Sequence, residues 1–165
     1  MRGKVVCNAS PLIFLAKIGR LDLLESYNLF IPSQVETEIL AGLRKKRGDA
    51  KRIVDYLETQ KISPVKVTAL RNLPLSLGAG ERAVISLAVK ENIKRVFIDE
   101  AKARTVARFN GLEPKGVMGI LWDSYNNGKI DKASLEALSF QLIENGYRIK
   151  EEVFIEFLKK LKELV

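Results

Sequence analysis

Two short apolar runs, Val5-Val6-Cys7 and Val96-Phe97-Ile98, constrain this chain most, because each ends in a polar residue where a helix is about to open. Apolar runs without polar alternation suit strands covered on both faces, as in parallel sheets. Asn8 ends the first run and Asp99 the second. Ser10-Pro11 reads as an N-cap followed by proline at the first helical position, opening a helix over 12–18 that Gly19 stops. A short helix over 21–27 and the brief strand Leu29-Phe30-Ile31 follow. Ser33 and Glu36 then form a capping box that opens a helix running to about Leu43. Ile53, Val54 and Leu57 mark the apolar face of another helix, and 62–67 alternates like a strand. Further helices are expected over 81–90, 100–110 (closed by Gly111) and 116–125. The recurring strand-helix order predicts an α/β fold with right-handed crossovers and a mostly parallel sheet covered on both faces.

From Lys129 onward only helices are expected, over 132–143 and 150–164. In the last, Val153, Phe154, Phe157, Leu158, Leu161 and Leu164 form an apolar stripe at helical spacing. The expected organisation is therefore a domain over 1–128 and a helical tail over 129–165, packed on that domain or on a partner such as a second copy of the chain.

Composition narrows the chemistry. The chain has 165 residues, 47% hydrophobic and 29% charged, which suits one folded domain rather than disorder. No signal-peptide core or membrane-length apolar run is present, so a cytoplasmic protein without membrane contact is expected. Cys7 is alone and there is no His, which excludes an internal disulfide, a zinc site of usual composition and a Ser-His or Cys-His nucleophile pair. Acid-base or metal chemistry must then rest on carboxylates. The net charge of +8 favours polyanionic partners, although Lys/Glu enrichment alone can produce such a balance. The basic turn Arg44-Lys45-Lys46-Arg47 is a solvated loop or a contact for a nucleic-acid backbone.

Ligands of open α/β sheets bind beyond the carboxyl ends of the strands, which is where Asn8 and Asp99 lie. Each also has a plain reading, Asn8 as a turn residue and Asp99 as an N-cap of the helix at Glu100. Glu81 shares a helix face with Val84, Ile85 and Ala88, so its carboxylate points coreward; as a first-turn acid it also complements the helix dipole. Glu38 adjoins the buried stripe of its helix. Such acids, converging without His, suggest a hard-metal site acting on phosphodiesters. Lys102, Arg104 and Arg108 follow Asp99 on a helix, where they either hold a phosphate backbone or are ordinary exposed cations; Lys17 has the same two readings. Gly78 and Gly80 are helix-entry glycines, because no Lys-Ser/Thr follows and no strand immediately precedes.

Four stretches, taken in order, resemble the PIN-domain nucleases, and within them a PIN-like subgroup related to VapC-type toxins. They are Val5-Val6-Cys7-Asn8-Ala9-Ser10-Pro11-Leu12-Ile13; Ile31-Pro32-Ser33-Gln34-Val35-Glu36-Thr37-Glu38-Ile39; Leu77-Gly78-Ala79-Gly80-Glu81-Arg82-Ala83-Val84-Ile85-Ser86-Leu87-Ala88; and Val96-Phe97-Ile98-Asp99-Glu100. The resemblance implies a three-layer α/β/α domain with a C-terminal helical extension, and an acidic cluster that binds Mg²⁺ or Mn²⁺ and cleaves single-stranded RNA. It implies that Glu38, Glu81 and Asp99 are family acids, that Asn8 stands where the first, usually aspartate, would be, and that Ser10 is its accompanying hydroxyl. Glu100 would assist through a water. For a toxin of this kind the partner is a small antitoxin protein. An amide at Asn8 can coordinate a hard cation but brings no charge, so metal should bind more weakly. Weak catalysis, a preference for Mn²⁺, or RNA binding without cleavage are all compatible with it. The rival expectations are a catalytically degenerate RNA-binding or protein-interaction module, and a flavodoxin-like or receiver-like domain, whose phosphate loop and paired acids are missing.

Overall fold

Val5, Val6, Cys7 and Val96 have no exposed surface, so the two apolar runs form the middle of the sheet. The computed structural model describes residues 2–164. Strands β1 (Gly3–Cys7), β2 (Tyr27–Phe30), β3 (Arg95–Phe97) and β4 (Glu113–Lys115) make one sheet in the order β2-β1-β3-β4, with every pairing parallel. Parallel neighbours need crossovers, and helices supply them. α1 (Ala9–Lys17) and a short 3₁₀ helix (Leu21–Leu24) join β1 to β2. α2 (Ser33–Arg44), α3 (Gly48–Thr59) and α4 (Ala79–Lys90) lead to β3, and α5 (Ala101–Phe109) leads to β4. α6 (Val117–Asn126), α7 (Lys132–Glu144) and α8 (Glu151–Glu163) complete the chain. α4 packs on β1 and β3, and α6 packs on β4 and α7, within a three-layer α/β/α arrangement.

Several boundaries differ from the sequence reading, each for a local reason. α1 starts at Ala9 with Asn8 in the cap position, so Ser10 is not the cap and Pro11 falls third. Proline is tolerated there because amides of the first turn have no helical acceptor. The Ser33/Glu36 capping box is not made: Ser33 is already helical after Pro32, and its N–H goes to Val65 O at 2.9 Å. The 62–67 stretch makes only an isolated bridge from Val65 to Pro32, since Pro64 offers no donor to extend a ladder. Strand β4, Glu113-Pro114-Lys115, has no apolar run to announce it; Pro114 is accommodated because β4 is the sheet's edge.

The C-terminal stripe packs on its own chain. Phe157 and Leu161 are only 4% and 5% exposed, and Phe154, Leu158 and Leu164 are half-buried against the same core. Phe157 meets Trp122 of α6 edge-on at 5.6 Å, and Phe154 meets Phe140 of α7 at 5.7 Å. Val153, by contrast, is exposed.

Candidate functional site

Asn8 and Asp99 leave adjacent strands side by side, because the Asn8 N–H donates to Phe97 O at 3.0 Å and extends the β1-β3 ladder by one residue. Asn8 is buried at 7% exposure, and its Oδ1 has no hydrogen-bond partner. Asp99 is held by three donors. Ser10 Oγ donates to Oδ2 at 2.9 Å, while the Val117 N–H and the Tyr147 hydroxyl donate to Oδ1 at 2.8 and 2.9 Å. The carboxylate therefore serves the first amide of α6 rather than capping α5, whose cap position is Glu100. The shifted start of α1 is what leaves the Ser10 hydroxyl available to it. Tyr147 keeps its proton: burial, then the charge of Asp99, push its pKa well above the usual value.

Glu38 and Asn8 meet across Gly80 of α4. A Cβ built on Gly80 would lie inside van der Waals contact of Glu38 Oε1 and 3.1 Å from Asn8 Oδ1. Only a glycine lets these two oxygens approach that point. Glu38 as a residue is exposed, but its carboxyl end is crowded enough that desolvation raises its pKa, with the Gly80 amide opposing the rise. Glu81 also has a raised pKa. Burial is the largest cause; the Gly78 amide, donating to Oε1 at 3.1 Å, opposes it; and a hydrogen bond and charge from Glu100 and the charge of Glu38 add to it. Glu81 thus caps its helix and still stands in a crowd of carboxylates.

Asn8, Glu38, Glu81 and Glu100 line a cleft of about 380 Å³. A larger one of about 910 Å³ is lined by Asn8, Glu81, Asp99, Glu100, Arg104 and Tyr147, among others. Five residues line both, so the two are ends of one depression at the carboxyl edge of the sheet. Among the described residues no three acids are drawn together into a ready-made cation site. Glu81 and Asp99 accept from donors of their own, while Glu100 lies within hydrogen-bonding reach of Glu81.

Of the cations considered in the sequence, Arg104 lines the depression and donates to the Asp99 carbonyl. Lys102 and Arg108 are exposed and do not line it; Lys102 Nζ bonds Ser76 Oγ at 2.6 Å. Tyr147, Arg148 and Lys150, which do line it, were not foreseen. They follow Gly146 between two helices, where no motif marks them, and only the folding back of the tail brings them in.

Gly80→Ala is expected to push the Glu38 carboxylate, the mobile end of an exposed side chain, away from Asn8, and to cost at most about 1 kcal/mol, since alanine is the better helix former. Urea denaturation tests it; a larger loss would mean that the Glu38 carboxylate cannot give way.

A parallel three-layer α/β/α domain with Asn8 and Asp99 at the carboxyl ends of its two central strands has the architecture of a PIN-like domain. The family model described as DUF3368, a PIN domain, matches residues 4–163, and the chain belongs to the PIN-domain family. PIN domains are in general nucleases, typically dependent on divalent metal. No curated protein and no solved structure matches the chain. No helix among the described residues is long and apolar enough to cross a membrane.

Proposed function

We propose that this chain is a metal-dependent ribonuclease acting on single-stranded RNA, with Asn8, Glu38, Glu81 and Asp99 as the residues that would hold Mg²⁺ or Mn²⁺. The observation that carries this reading is the buried, unpartnered Asn8 Oδ1. Leaving such an oxygen unsatisfied costs about 1–3 kcal/mol, and it faces Glu38 across a glycine cradle with the desolvated Glu81 nearby. A hard cation satisfies that donor set, since it takes oxygen ligands and offsets the crowded charge. When bound it would supply charge stabilisation at the scissile phosphate and a more acidic water. Asp99, fixed by three donors, contributes a carboxylate of set orientation. Glu81, desolvated and beside Glu100 and Glu38, carries a charge that such a cation would offset. Arg104 stands where an adjoining phosphate would pass.

The VapC-type resemblance extends this reading to the toxin half of a toxin-antitoxin pair, with a small antitoxin reaching the acidic depression and a homodimer as a further assembly. A second reading, a degenerate RNA-binding or protein-interaction module, is favoured by the neutral Asn8 and by the three donors already engaged on Asp99. Divalent-metal titration with a single-stranded RNA cleavage assay separates the two. Asn8→Asp is expected to tighten Mn²⁺ binding by about tenfold, about 1.4 kcal/mol, and to raise cleavage. No calorimetric gain, with cleavage absent from both forms, would replace the nuclease by the module.

A further inference from the structure

The larger end of the depression extends past the acids. It continues between Phe14 of α1, Met118 of α6 and the 146–150 connection that joins α7 to α8. Phe14 and Tyr147 meet edge to face at 5.0 Å, and the Tyr147 hydroxyl is tied to Asp99, so this apolar floor is fixed to the acidic end. Its cations are Arg104, Arg148 and Lys150. Arg148 and Lys150 are exposed and, among the described residues, their side chains make no hydrogen bond or ion pair. Lys17 adds a fourth cation at the rim, its Nζ lying 5.1 Å from the Phe14 ring centroid. Among the described residues the acids on its walls are Glu81, Asp99 and Glu100, and Asp99 is already engaged by the Tyr147 hydroxyl.

An aromatic and apolar floor flanked by the unpaired Arg148 and Lys150, next to the proposed cleavage centre, complements a polymer that alternates planar bases with phosphates. We propose that this end of the depression is a subsite for an unpaired nucleotide adjoining the scissile bond. Its base lies against Phe14, Met118 and Tyr147, and its phosphates lie on Arg104, Arg148 and Lys150. The volume, about 910 Å³, is ample for one nucleotide. A base stacked and paired within a duplex cannot enter, so the 146–150 segment selects single strands. The ligand class rests on the ribonuclease reading; the placement on the tail rather than on the outer side of α5 is new.

Fluorescence anisotropy with the full chain in EDTA reads binding without cleavage. The probes are a labelled single-stranded oligoribonucleotide, its duplex, and the same strand carrying abasic sites. Wild type is expected to bind the intact strand about tenfold more tightly than the abasic strand, and more tightly than the duplex. Arg148→Ala with Lys150→Ala should weaken binding about tenfold and flatten the salt dependence by roughly 0.7 per lost contact. Phe14→Leu, which keeps an apolar side chain in the fold, should weaken the intact strand several-fold and leave the abasic strand unchanged. Lys102→Ala with Arg108→Ala should change little. Equal binding of intact and abasic strands, or losses confined to the Lys102/Arg108 variant, would overturn the subsite while leaving the ribonuclease reading in place. Duplex bound as tightly as the single strand would do the same, whereas absence of RNA binding here, together with absence of cleavage in the metal titration, would overturn both.

Discussion

Glu81→Gln is expected to lower RNA cleavage by about a hundredfold or more while making the metal-free protein more stable at neutral pH. The two effects have one source. Glu81 is desolvated and lies beside Glu100 and Glu38, so its charged form is disfavoured in the fold. An amide removes that charge but keeps an oxygen for the Gly78 N–H, so the helix start survives. The sign follows from linkage. The folded pKa is raised above the ordinary glutamate value of 4.5, so the group's stabilising contribution is fully present below that value and is lost as pH rises through the folded pKa. In EDTA the variant should therefore exceed wild type in melting temperature at pH 7, and the gap should close as pH falls toward 4.5. Added Mn²⁺ should reverse the order by stabilising wild type more. A variant that is less stable than wild type at pH 7 in EDTA would make Glu81 a helix cap and nothing more.

The central strands were legible because burial on both faces leaves a signature that no polar residue interrupts, as in Val5-Val6-Cys7. The strands that the sequence misjudged lie where that signature fails. Strand β4 is a polar edge with a proline, and 62–67 alternates convincingly but has Pro64 where a donor is needed. Cap chemistry misled for a related reason. Ser10 and Ser33 have the residue types of N-caps, yet both are inside helices that begin earlier, because the ladder extension at Asn8 and the bridge at Pro32 fix where the chain turns. In the candidate site, Asn8, Glu38, Glu81 and Asp99 could be singled out individually, since each sits at a strand end or a helix entry. What could not be read was how they are joined. The contacts of Asp99 with Tyr147 and Val117 span 48 and 18 residues, and the contact of Ser10 with Asp99 spans 89. Nothing local in the sequence encodes such pairs. The same holds for Glu100, which ends up beside Glu81 although it follows a different strand and caps a different helix.

Phe157→Ala is expected to cost about 3–5 kcal/mol, the usual range for a fully buried phenylalanine. Phe157 is the anchor of α8, 4% exposed, edge-on to Trp122 and stacked at 6.1 Å on Phe154, so its removal leaves a cavity that rigid neighbours fill poorly. For a chain of this size the melting temperature should fall by roughly 6–20 °C. Ile155→Ala on the solvent side, where the residue is 45% exposed, should change it little, and Phe154→Ala should fall between. The comparison also locates the tail's partner. If α8 is covered by its own chain, the three losses keep this order at every protein concentration. A second copy of the chain covering it would make the melting temperature rise with concentration in wild type, and the Phe157→Ala variant would lose that rise. An equal, small effect of Phe157→Ala and Ile155→Ala would detach α8 from the folded unit. The 146–150 connection would then lose its anchor on the α8 side and keep Tyr147's contacts with Asp99 and Phe14, and RNA affinity would have to come from Arg104 and the outer cations.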